Sequence, residues 1–222
     1  MGIAATAHAC HGVDTDSRLT AQSAVLLRAA KYKDNPIEFV VRYLSIGTEG
    51  GEDITVAELN DILDAQLALL LVQHVREPNW VPSAERGTSD GTNAAKNAEA
   101  VGYAKGCHII VDLEGVMPGT TAGTVIEYIN TWASAIVAAG YLAMVYVGYN
   151  TMLTPEQLYE ALPDVHAYWS DFGARQVAVR GFCMKQLTNT TMLPGVPFPI
   201  DPDEIMADNE GGLPVWMVKE AA

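Results

Sequence analysis

The stretch that decides the fold is His108-Ile109-Ile110-Val111-Asp112-Leu113-Glu114-Gly115. Four apolar or half-apolar residues lead into two carboxylates one residue apart, and Gly115 ends the run. The pattern predicts a short buried strand. On a strand, residues i and i+2 share a face, so Asp112 and Glu114 point the same way while Val111 and Leu113 fill the other side. Their Cα atoms would lie about 6–7 Å apart at the usual rise. Two acids at the carboxyl end of a buried strand suit acid/base chemistry on a sugar. A helix cap or an exposed pair of acids is the plainer alternative for this segment taken alone.

Working outward, apolar runs and helix-spaced segments alternate along the chain. Strands are expected at 3–13, 39–44, 67–75, 108–113, 141–147, 165–170, 182–188 and 198–201. Helices are expected at 20–30, 55–65, 92–105, 121–139 and from Thr154. Thr55 and Thr154 open theirs with capping-box spacing. Residues 76–91 read as a long polar loop carrying Trp80, and Asn189–Pro199 is too short and too rich in Pro and Gly for an ordinary crossover helix. Neither a linker nor a repeat interrupts the chain, so residues 1–222 are expected to form one domain. Strand–helix alternation implies a parallel sheet. Eight strands favour a closed, TIM-like (β/α)₈ barrel over an open doubly wound sheet, with the helical layer incomplete in the C-terminal part.

Composition sets outer bounds. The 222 residues are 49% hydrophobic, enough for a sizeable core. A formal charge of −14 argues against nucleic acid and anionic membrane surfaces as partners. No run is long enough to span a bilayer. Residues 1–10 lack the cations of a signal peptide, so synthesis in the cytoplasm is expected, with phage lysis or a secretion machine as routes to a cell wall. Cys10, Cys107 and Cys183 give no disulfide framework and lack metal-ligand spacing; small buried residues are expected.

Position then narrows the chemistry. Asp14, Asp112, Glu114, Tyr146, Asp171, Gln186 and Asp201 each fall at or just past the end of an expected strand. In a barrel these ends meet at one mouth. Several acids in one cleft raise at least one pKa, as a general acid at neutral pH requires. Neither a phosphate-binding glycine loop nor a serine nucleophile elbow is present.

The ordered series GVDTD, VDLEG, VYVGYN, AYWSDFG, MKQLT and PIDPDE resembles the glycoside-hydrolase-like domain family DUF1906, itself related to the family 25 lysozymes. The resemblance runs from about residue 12 to residue 206. It implies a muramidase-like activity on β-1,4 bonds of peptidoglycan or a related N-acetylated glycan. It implies roles as well: Glu114 as general acid/base, Asp112 orienting the N-acetyl group, Asp14 and Asp201 as further mouth carboxylates, Tyr146 and Gln186 contacting the sugar. At the sixth strand, Tyr168-Trp169-Ser170-Asp171-Phe172 departs from the lysozyme pattern, which leaves open whether Tyr168 or Trp169 faces the site and what Asp171 does there. No cofactor or metal is implied. A barrel that binds glycan or a partner protein without cutting is the competing expectation. Trp80, Tyr103, Tyr149 and Trp169 are candidate sugar-stacking aromatics, each with core or rim packing as the alternative, and His74 is expected to be an ordinary strand-end histidine.

Overall fold

In the computed structural model, which describes residues 2–46, 52–74, 76–173 and 176–220, the chain closes into an eight-stranded barrel flanked by five helices. Around the ring run β2 (Cys10–Asp14), β4 (Asn35–Leu44), β5 (Ala68–Gln73), β6 (His108–Leu113), β7 (Leu142–Val147), β8 (Val165–Ser170), β9 (Met184–Gln186) and β10 (Asp201–Ile205), which returns to β2. A two-residue strand, β3 (Lys31–Tyr32), pairs with the start of β4. The helices are α1 (Ala21–Ala29), α2 (Val56–Asp64), α3 (Ala84–Ala100), α4 (Ala122–Ala138) and α5 (Pro155–Glu160).

Strand alternation sorts the apolar residues into two separate clusters. Leu69, Leu71, Ile109, Val111, Leu113, Val145 and Val147 point outward and pack under the helices. Leu70, Val72, Ile110, Met144, Tyr146 and Trp169 point inward and fill the barrel. Asp112 follows the inward register of Ile110, so the strand that buries its core residues also delivers a carboxylate to the mouth.

Several expectations need correction. The expected first strand, 3–13, is two: β1 (Gly2–Thr6) leaves the barrel to pair antiparallel with β11 (Val215–Lys219), a strand not expected at all. That pair sits at the end away from the acids, where Met217 bonds to the start of β5 and Trp216 packs against Phe39 at 6.0 Å. The sheet is not wholly parallel either. β10 covers 201–205 rather than 198–201 and runs antiparallel to both β9 and β2. The connection 187–200 holds no helix and returns the chain antiparallel to β9.

The third helix begins at Ala84, capped by Ser83, where a loop to residue 91 and a helix to 105 were expected. Gly87 and Gly91 are the reason. They face α4, and a Cβ on Gly91 would lie 2.5 Å from the Trp132 carbonyl oxygen. These glycines sacrifice helix propensity so that two helix backbones can approach closely. Thr55 caps α2 as expected, but Glu58 does not complete the box. Its Oε1 instead accepts from Arg42 Nε at 2.6 Å and from the Leu19 amide at 2.8 Å. Arg42 also donates to the Thr15 and Glu52 carbonyls and is fully buried. This ion pair fastens the loop after β2 to α2. All three cysteines are buried and unbridged, with burial pushing each thiol up to about 12.

Parts of the expected loop Gly47–Asp53 and of Ala174–Arg180, where a short helix or a turn is expected, lie outside the described residues, as does Val75 at the end of the expected third strand. Among the described residues no helix is long and apolar enough to cross a membrane.

Candidate active site

The mouth gathers the expected acids. Asp14 ends β2, Asp112 lies on β6 and Glu114 follows it. Asp201 reaches the same place from the other direction: it opens the antiparallel β10 and stands opposite Asp14 in the register. It is therefore at a strand start, not at the strand end that was expected. Asp203, which the sequence reading passed over, stands one pleat deeper, fully buried. Its spacing from Asp201 repeats that of Asp112 and Glu114, the signal that could have found it.

Hydrogen bonds tie these groups together. Tyr43 Oη donates to Asp14 Oδ1 at 3.4 Å. Tyr146 Oη donates to Gln186 Oε1 at 3.0 Å, and Gln186 Nε2 donates to Asp201 Oδ2 at 2.6 Å. Trp169 Nε1 donates to Asp203 Oδ1 at 3.0 Å, and its ring meets Tyr146 edge-on at 4.5 Å. That settles the sixth-strand register: Trp169 faces the barrel interior, while Tyr168 faces outward and donates to the Leu158 carbonyl. Asp171 is 9% exposed, accepts from the Gly173 amide at 2.9 Å, and lies close enough for its charge to act on Tyr146.

The electrostatics follow from crowding. Burial, then the charges of Glu114 and Asp14, holds the Asp112 carboxyl well above the ordinary range. Asp14 is raised by burial and by Asp201; Asp203 is raised by burial and by Asp14. Asp201, half-buried, shifts the same way, mainly through burial. Burial and the surrounding carboxylates push the Tyr146 hydroxyl up as well. Asp14 Oδ2, Asp112 Oδ1, Asp201 Oδ1 and Asp203 Oδ2 are buried and, among the described residues, have no hydrogen-bond donor. The cluster is charged with acceptors and short of donors.

Glu114 is placed by its neighbours. Trp80 Nε1 donates to its carbonyl at 2.7 Å, and the Gly115 amide donates to the Tyr149 carbonyl at 2.9 Å. Its side chain lies over Gly148, where a Cβ would come within 2.5 Å of Glu114 Cβ and Oε2. Of the candidate stacking aromatics, Trp80 and Tyr103 are core residues, Trp169 is buried beside the acids, and Tyr149 is exposed at the rim. His74 is more than a strand end: it stacks on Tyr43 at 4.6 Å and places Nε2 3.0 Å from Asp53. A pit of 120 Å³ opens between Asp14, Asp16, Tyr43, Thr190 and Asp201. A cavity of 380 Å³ lies elsewhere, between α2 and α3, and touches none of the mouth acids. Among the described residues no group of three or more His, Cys, Asp or Glu could hold a metal ion.

A closed eight-stranded barrel of this kind is the fold of glycoside-hydrolase-like proteins. The family model described as Rv2525c-like, glycoside hydrolase-like domain matches residues 30–195, and the chain belongs to that family. Solved structures share the fold at low identity. A Bacillus stearothermophilus protein is 16% identical with a TM-score of 0.67, over 89% of this chain and 96% of that one. The Tat-secreted protein Rv2525c of Mycobacterium tuberculosis, solved with L-tartrate, is 14% identical with a TM-score of 0.65, over 89% and 95%. A bacterial lysozyme from Streptomyces coelicolor is 14% identical with a TM-score of 0.58, over 90% and 93%. No curated protein matches the chain.

Proposed function

We propose that the chain hydrolyses a β-1,4 bond next to an N-acetylated sugar, with peptidoglycan as the substrate class. The observation that carries this reading is the Asp112–Glu114 pair on the inner wall of the mouth. Asp112 holds its proton above the ordinary carboxylate range and keeps Oδ1 without a donor among the described residues. A substrate amide N–H would satisfy that oxygen.

In this scheme Glu114 protonates the leaving glycosidic oxygen. The N-acetyl carbonyl, oriented by Asp112, attacks the anomeric carbon in place of an enzyme nucleophile. Water then opens the cyclic intermediate, with Glu114 taking up its proton. Such substrate assistance is a known departure from the two-carboxylate mechanism. Tyr146 and Gln186 present polar groups to the sugar, and Asp14 and Asp201 line the adjoining pit. Likeness in fold to a lysozyme supports the reading without fixing linkage or residue roles.

A second reading, in which the barrel binds glycan without cutting it, has support from the small size of the 120 Å³ pit. One experiment separates the two. Purified protein is incubated with peptidoglycan and with chitin oligosaccharides, and products are analysed by mass spectrometry beside Glu114→Gln. New reducing ends that fall by about 10² or more in the variant support the enzyme. Cleavage retained in a folded variant removes Glu114 from its role, and the absence of products from any substrate turns the weight to binding.

A further inference from the structure

A groove of 610 Å³ is lined by Ile46, Arg76, Glu77, Trp80, Val81 and Arg86 among others. Its wall is stitched to the backbone that carries Glu114. The Asn79 amide donates to the Gly115 carbonyl at 2.7 Å, the Met117 amide to the Trp80 carbonyl at 2.9 Å, and Trp80 Nε1 to the Glu114 carbonyl at 2.7 Å. The groove therefore adjoins the backbone segment that carries Glu114.

Two guanidinium groups border it, each held by one edge. Arg76 places Nε 3.1 Å from Asp90 Oδ2 and Nη2 2.5 Å from Oδ1. Asp90 is itself buried and takes the Tyr128 hydroxyl at 2.9 Å. Arg86 donates Nη1 to the Val81 carbonyl at 2.6 Å. Among the described residues Arg76 Nη1 and the Nε and Nη2 of Arg86 have no acceptor, and Glu77, exposed on the same loop, forms no ion pair. Arg76, fixed on one side by a buried carboxylate and unused on the other, is preorganised for a carboxylate, since little of its side-chain freedom remains to be lost on binding, and the exposed Arg86 adds a second cation at the groove's border. In a chain of charge −14, an anionic ligand is otherwise repelled by the protein field.

We propose that this groove is a subsite for a carboxylate-bearing substituent of the glycan, such as a lactyl ether or an acidic peptide stem, read by Arg76 and Arg86. The proposal rests on the glycan reading above and adds a preference within it. The test uses isothermal titration calorimetry on Glu114→Gln protein, which binds without turnover. The ligands are a muramyl-peptide disaccharide, the same compound with its carboxylates amidated, and a chitin oligosaccharide of equal ring number. The carboxylated form should bind about tenfold tighter than the amidated one, the worth of one charge-assisted hydrogen bond. Adding Arg86→Glu should bring that ratio to about one, while Arg86→Lys keeps part of it. Equal affinity for the carboxylated and amidated forms, or a ratio that survives Arg86→Glu, overturns the subsite alone. Failure of all three ligands to bind overturns the glycan reading together with it.

Discussion

Replacing Asp203 with asparagine should make the protein more stable as pH rises, relative to the wild type. Asp203 is fully buried, and burial together with Asp14 raises its pKa. In the unfolded chain an aspartate titrates near ~3.9. Above that value the native state keeps a proton that the unfolded state releases. Wild-type stability from this group is therefore greatest at low pH and falls by about 1.4 kcal/mol per pH unit until the folded pKa is reached. Asparagine preserves the shape, keeps the acceptor for Trp169 Nε1 and presents an N–H toward Asp14, as the protonated acid does. It has no proton to lose, so the slope due to this group disappears, and of the neighbouring acids Asp14, whose charge and hydrogen bond act on Asp203, is the one whose titration changes with it. From about pH 4.5 upward, for as long as the folded Asp203 keeps its proton, the variant should gain about 1.4 kcal/mol on the wild type for each pH unit. For a chain of this size that widens the difference in Tm by about 3–6 °C per pH unit. Scanning calorimetry at three pH values across the window measures it. A difference that stays constant or narrows as pH rises would refute the proton-holding role of the pair.

Other outcomes follow from packing. Glu58→Ala leaves the buried Arg42 guanidinium without its carboxylate and should cost about 3–5 kcal/mol, read as a lower urea midpoint at unchanged m. The double replacement Arg42→Met with Glu58→Leu should recover part of that loss, because it removes the isolated charge while leaving the Leu19 amide and the Thr15 and Glu52 carbonyls without their partners. Gly91→Ala should cost about 1–3 kcal/mol in the same assay, since the new methyl meets the Trp132 carbonyl and α3 must move off α4. An alanine at Gly91 that stabilises the protein by restricting the unfolded chain would show that the helices have room to separate.

The acid pair on β6 was legible because strand alternation is local: Val111 and Leu113 outward fix Asp112 and Glu114 inward whatever the rest of the chain does. Closure into a barrel followed from counting strands. Direction did not, because period-two alternation reads the same both ways, and so Asp201 was placed at a strand end when it begins one. The clue was the stretch Asn189–Pro199, too short and too rich in Pro and Gly for an ordinary crossover helix. Gly87 and Gly91 hid the first half of α3, since their value lies in the partner helix and no local propensity records it. The same holds for Trp80, whose loop position suggested sugar stacking and whose indole instead supports Glu114 from beneath. Glu58 shows the limit of capping patterns: its spacing from Thr55 fits a box, and a buried arginine from another strand claims it.

The β1–β11 pairing carries a consequence for geometry at the scale of the whole chain. Gly2 lies opposite Lys219 in that register, at the pole of the barrel remote from the acids. Anything joined to either end hangs from the same point and points away from the mouth. A surface, a fusion partner or an immobilising bead attached there would leave the acidic face turned outward, open to a polymer as large as a wall strand.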